Sequence, residues 1–179
     1  MSDTENESRP IRVLIVDDQQ LVRSGFAMML SVEDDIDVAV EHAMALPEID
    51  ESRVCIVGGS YGGFSALVST IRHPDRFRCA VSIAGVTDVP FQLVWSDTAD
   101  SKSGLAYFEA YIGDSKKDRA ALLEISPAYH VDRISTPILL IHGTEDRRVD
   151  RDHAHRMALM LELYGKPFEM MEIDDAVHG

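Results

Sequence analysis

The first residues that could do chemistry form the run Gly58-Gly59-Ser60-Tyr61-Gly62, a serine with glycines two positions to either side. A serine hydroxyl is a weak nucleophile until a base takes its proton, and that base works only when a third group orients it. Two distant segments supply those residue types: Asp146 in His142-Gly143-Thr144-Glu145-Asp146, and His178 in Asp175-Ala176-Val177-His178-Gly179. Serine, acid and histidine in that chain order support acyl transfer through the serine. Tyr61 adds a backbone N–H which, if a helix starts behind the serine, faces the charge that develops on the substrate oxygen. By itself the pentapeptide is equally a tight glycine-rich turn or a phosphate-binding loop.

The neighbouring patterns decide between these readings. Residues 53–57, RVCIV, form an apolar run that reads as a buried strand leading into the glycines. Phe64, Leu67, Val68 and Ile71 then recur at helical spacing, and the helix must stop before Pro74. Residues 137–142, PILLIH, and 168–173, FEMMEI, read as strands that end just before Asp146 and His178, and 79–84, CAVSIA, is another. All three candidate residues thus follow strands, and open α/β sheets build their sites at strand C-terminal ends. Residues 150–164 read as a helix with Ala154, Met157, Leu161 and Tyr164 on one face and Gly165 as its stop. The stretch 88–136 is too long for a simple connection and carries helical patterns at 105–112 and 119–123, so a cap over the site is expected. Phe91, Trp95, Tyr107, Phe108 and Tyr111 populate it, as pocket lining or as packing. Upstream, residues 1–9 read as a disordered lead-in, 11–16 as a strand, and Leu21, Val22, Phe26, Met29 and Leu30 as one face of a helix. Residues 34–46 fit a strand or a helix, with helix favoured. The fold expected is a single α/β domain over residues 10–179 with a doubly wound, mainly parallel sheet.

Composition narrows the function further. The chain has 179 residues with 17 Lys and Arg against 31 Asp and Glu, a formal net charge of −14 that repels nucleic acid and anionic lipid. Its 45% hydrophobic and 27% charged content is that of a globular protein. Cys55 and Cys79 lie in apolar runs and read as separate buried thiols. The polar, acidic start has no secretory character, so a cytoplasmic, reducing setting is expected. Asp152, His153 and His155 resemble a metal cluster, but their spacing points them to different helix faces, and a surface helix is the better reading. No metal or cofactor is expected. Arg147, Arg148, Arg151 and Arg156 are interleaved with Asp150 and Asp152, which favours surface pairing.

The segments RVCIVGGSYGGFSAL, RHPDRF, SPAYHVDRISTPILLIHGTEDRRVD and GKPFEMMEIDDAVHG resemble the catalytic domain of prolyl-oligopeptidase-type α/β-hydrolases over about residues 34–179. That group includes acylaminoacyl and dipeptidyl peptidases. The resemblance implies Ser60 as nucleophile, Asp146 as orienting acid, His178 as base, Tyr61 N–H as oxyanion donor, and His142 as a structural residue. It also implies a peptide or small ester substrate.

Residues 11–33 resemble instead the opening strand and helix of a response-regulator receiver domain, whose acidic pair, matching Asp17 and Asp18, helps hold Mg²⁺ beside a phosphorylated aspartate. The serine turn stands where the phosphoacceptor strand would end, so a solvated acidic loop without phosphorylation is expected. Hydrolase relatives bring a second oxyanion donor from a loop after an early strand, where this chain has Asp17-Asp18-Gln19-Gln20. Losing one donor costs ~2.7–4 kcal/mol, about 10²–10³ in rate. The chain also ends one residue after His178, where relatives continue into a further helix. The expectation is a truncated α/β-hydrolase-like domain, with a receiver-like unit at 10–33 and a cap-containing insertion at 88–136, acting weakly as a serine peptidase or esterase. A catalytically impaired fragment or fusion and a receiver-derived signalling module are the alternatives.

Overall fold

The computed structural model describes residues 45–47 and 49–178. The lead-in, the receiver-like unit with Asp17 to Gln20, and nearly all of 34–46 lie outside the described residues.

Four strands carry the described fold: β1 (Cys55–Gly59), β2 (Cys79–Ile83), β3 (Ile138–Gly143) and β4 (Phe168–Ile173). They pair in sequence order and all in parallel. The strand period of two divides their side chains between faces. Ile56, Ala80, Ile138, Leu140 and Met170 face helices α1 (Tyr61–Arg72) and α5 (Asp152–Leu163), where Leu67, Met157 and Leu161 complete one core. On the other face Val57, Ile83, Met171 and Ile173 are exposed.

The long segment between β2 and β3 folds as α2 (Val89–Gln92), α3 (Lys102–Tyr111) and α4 (Arg119–Glu124), followed by two 3₁₀ turns. Its Val89, Leu93, Phe108 and Leu122 meet Phe64 and Val68 of α1 and Val149 in a second core. The insertion is thereby fastened to the helix behind Ser60 and to the loop after Asp146. Of its aromatic residues, Phe108 is core, whereas Trp95 and Tyr111 are exposed.

Several expectations need correction. Glu51–Arg53 is a 3₁₀ turn capped by Asp50, so β1 begins at Cys55 rather than at 53. The cysteines are not separate thiols: their strand positions are direct register partners with Cα atoms 4.7 Å apart, and a disulfide joins them on the exposed sheet face. His153 is fully buried and does not lie on a surface face of α5. Tyr164 lies beyond the end of α5 and is half exposed. Gly165 does end that helix, with φ 63° and its N–H bonded to the Glu162 carbonyl. Among the described residues no helix is long and apolar enough to cross a membrane.

Candidate active site

Ser60 sits where β1 turns into α1, with φ 55° and ψ −116°, a backbone conformation that costs a non-glycine residue of order 1–3 kcal/mol. Two sets of bonds hold it there. Its N–H donates to the Ile83 carbonyl of β2 at 2.8 Å, and its own carbonyl accepts from the Gly63 and Phe64 amides at 3.0 and 3.2 Å. The turn is tight enough that a Cβ on Gly58 would overlap the Gly62 carbonyl, whereas a Cβ on Gly62 would meet nothing. The first glycine of the motif is therefore required by its neighbour's backbone, and the second supplies that backbone. Tyr61 opens α1, so its peptide N–H lies at the positive end of a 12-residue helix.

Asp146 follows β3 and is 5% exposed. One carboxylate oxygen, Oδ1, accepts the backbone N–H groups of Arg148 and Val149 at 2.9 and 3.0 Å. The other, Oδ2, lies 2.7 Å from His178 Nδ1. A carboxylate only accepts, so Nδ1 carries the proton and Nε2 keeps its lone pair. That Nε2 lies 2.9 Å from Ser60 Oγ. The three residues, drawn from loops after β1, β3 and β4, thus form a directional hydrogen-bonded series from carboxylate to hydroxyl.

The histidine loop is stitched to the acid loop. The Thr144 and Glu145 amides donate to the carbonyls of Ile173 and Ala176 at 3.1 and 3.0 Å, and the Asp175 amide donates to Thr144 Oγ1 at 3.0 Å. His178 opens onto a cavity of about 560 Å³ whose walls include Asp97, Glu145, Arg147 and Arg148. Arg148 pairs with Asp97 at 3.1 Å. His142 is buried beneath Asp146, and its Nε2–H donates to the Val149 carbonyl at 2.8 Å, which closes the far side of the acid loop. With Nε2 so engaged, His142 supports the loop and does not face Ser60.

Asp88, Gln92 and His153 have no assigned role from sequence, yet all three are buried, and Gln92 reaches the acid loop at the Arg148 carbonyl. Burial, with the His142 and Arg156 charges nearby, drives the His153 pKa down to about 3, so its imidazole is neutral. One signal was available: His153, Met157 and Leu161 recur every four residues and share the buried stripe of α5. His155, two positions along, turns outward to Glu172 at 3.0 Å.

Residues 31–179 match the family model described as the prolyl oligopeptidase family. The dipeptidyl peptidase family member 6 of Caenorhabditis elegans is 31% identical over 153 residues, which are 81% of this chain and 20% of that protein. The acylaminoacyl peptidase of Pyrococcus horikoshii superposes with a TM-score of 0.75 at 26% identity, covering 85% of this chain and 24% of the other. An acylaminoacyl peptidase in complex with Z-Gly-Gly-Phe-chloromethyl ketone superposes at 0.74 with 27% identity, covering 82% and 23%. The chain spans about a fifth to a quarter of the length of these relatives, with which it shares the α/β-hydrolase fold.

Proposed function

The chain belongs to the prolyl oligopeptidase family, and from that premise we propose that it is a serine hydrolase that cleaves peptide or ester acyl bonds with Ser60 as nucleophile. The observation that carries this reading is the continuous series Asp146 to His178 to Ser60 at 2.7 and 2.9 Å. His178 Nε2 takes the Ser60 proton as Oγ attacks the substrate carbonyl carbon. Asp146, held by two backbone amides, keeps the imidazole oriented and stabilises the imidazolium that forms. The Tyr61 N–H donates to the resulting oxyanion. Collapse of the tetrahedral intermediate expels the amine or alcohol, which takes the proton from His178 and leaves an acyl-serine. Water then repeats the sequence with His178 again as base, releasing the acid and restoring Ser60.

Peptides are the substrate class of choice, because a solved relative holds the peptide-like inhibitor Z-Gly-Gly-Phe-chloromethyl ketone. In sequence, Asp17-Asp18-Gln19-Gln20 replaces the loop that brings relatives a second oxyanion donor, so activated esters are the expected better substrates than anilides, since amide cleavage demands more oxyanion stabilisation and leaving-group protonation. Hydrolysis of p-nitrophenyl esters and aminoacyl anilides, measured for the protein and for Ser60→Ala, tests the proposal. Ester turnover lost in the variant supports it, and turnover that survives Ser60→Ala contradicts it.

A further inference from the structure

Between α2 and α5 lies a line of buried polar groups that the reaction sequence above does not use. His153 Nδ1 accepts two backbone N–H groups, from Thr87 at 3.1 Å and Asp88 at 3.3 Å. Its proton therefore sits on Nε2, which donates to Gln92 Oε1 at 3.0 Å. With its oxygen occupied, the Gln92 amide can face the other way only as a donor, and its Nε2 donates to the Arg148 carbonyl at 2.8 Å. Gln92 and His153 are 2% and 0% exposed. The beginning of the line is held as firmly. Thr87 Oγ1 donates to the His153 carbonyl at 2.7 Å, and Asp88 accepts from Arg156 at 2.8 Å and from the Tyr129 hydroxyl at 2.9 Å.

The end of the line is where it touches the proposed chemistry. The Arg148 carbonyl and the Val149 N–H belong to one planar trans peptide, so a bond to the first fixes the direction of the second. That N–H donates to Asp146 Oδ1. The preceding peptide is treated alike: the Arg147 carbonyl accepts from the Asp97 N–H at 2.9 Å, and the Arg148 N–H donates to the same Oδ1. Two successive peptides are thus gripped by their carbonyls from the insertion side and present their amides to one carboxylate oxygen. Gln92 is the side chain in that grip.

We propose that Gln92 is a positioning residue for Asp146, aligning the Arg148–Val149 peptide that fastens the carboxylate, with its own amide locked in the donating sense by His153. The role rests on the reading of Asp146, His178 and Ser60 as the catalytic set. A methionine at 92 would fill much of the same volume and lack both bonds. A glutamate would keep the acceptor for His153 Nε2–H but could donate to the Arg148 carbonyl only while protonated. His153 cannot take up its proton, because Nδ1 is engaged and Nε2 is already protonated. The other ionisable groups around this position are Asp88 at the cap of α2, Arg156 of α5, His142 of β3, Tyr129 of the 3₁₀ turn Pro127–Tyr129, and Asp146 and Arg148 of the acid loop. All of them are common to the glutamine and glutamate forms.

The test is the rate of fluorophosphonate labelling of Ser60, which needs His178 and Asp146 in place, followed from pH 5.5 to 8.5 in the wild type, Gln92→Met, Gln92→Glu and the exposed control His155→Gln. Gln92→Met should label about 10²-fold more slowly, the scale at which ~1 Å misplacements act, with His155→Gln unchanged. The ratio of Gln92→Glu to wild-type rate should fall as pH rises, because the carboxylate ionises. A ratio flat with pH, or a Gln92→Met rate equal to wild type, overturns the positioning role. If Gln92→Met does not fold, the Gln92→Glu profile, taken within one protein, decides alone. Absence of wild-type labelling overturns the catalytic reading itself and so is distinct from failure of the Gln92 role.

Discussion

The Cys55–Cys79 disulfide encloses the part of the chain that carries the proposed nucleophile, since the bridged residues are 24 apart and bracket β1, Ser60 and α1. Opening it restores to the unfolded chain the freedom of a loop of that length. In the chain-entropy description this is ~12 cal/mol/K, or about 3.5 kcal/mol at 25 °C. For a domain of this size 1 kcal/mol corresponds to roughly 2–4 °C in melting temperature, so the expected loss is about 7–14 °C. The perturbation is reduction with a phosphine at pH 7, or Cys55→Ser with Cys79→Ser, followed by circular dichroism melts. Intact mass under non-reducing conditions establishes that the starting material carries the bond. The bridge fastens the opposite strand ends from Ser60, which the Ile83 carbonyl still holds at 2.8 Å. Labelling of Ser60 well below the melting temperature should therefore survive reduction. A melting temperature unmoved by reduction, in protein shown by mass to have been oxidised, refutes the reasoning.

Three further outcomes follow from the site. Gly58→Ala drives a Cβ into the Gly62 carbonyl, so it should cost several kcal/mol in chemical denaturation or eliminate Ser60 labelling; wild-type behaviour in both would contradict the tight-turn account. Asp146→Asn removes the acceptor that sets the His178 tautomer and should lower ester turnover by about 10⁴ with the fold retained, as judged by circular dichroism. His153 has its pKa lowered from 6.5 to about 3, so the unfolded chain takes up a proton first. Its contribution to stability is complete above the unfolded value and is lost as pH falls from about 6.5 toward 3, by up to ~1.4 kcal/mol per pH unit. Denaturant titrations across that window should show a shallower pH dependence for His153→Gln than for the wild type, and equal slopes would contradict the buried neutral imidazole.

The features legible in the sequence were those with short-range signatures. FEMMEI is β4 at the bounds its apolar run suggests, and the Phe64, Leu67, Val68, Ile71 spacing gave α1 its length, because strand and helix periods are local properties. The insertion's helical stretches near 105–112 and 119–123 correspond to α3 and α4 for the same reason. Ser60, Asp146 and His178 are legible from residue type, chain order and the strands that precede them, and the resemblance over about four fifths of the chain implies the same three. What escaped depended on pairings across the fold. Cys55 and Cys79 become neighbours only through the β1–β2 register. His153, two residues before His155, reads as a surface residue until the Thr87 and Asp88 amides and Gln92 enclose it. Gln92 carries no motif at all, because its role comes from which carbonyl it meets.

The most direct measurement of the central claim is peptide mapping by mass spectrometry after treatment with an activated fluorophosphonate. The account predicts a single adduct, on the peptide containing Ser60, that is absent in Ser60→Ala and strongly slowed in a variant lacking the His178 imidazole. A folded sample that takes up no label, or that takes it up on another residue while Ser60 stays unmodified, would contradict it.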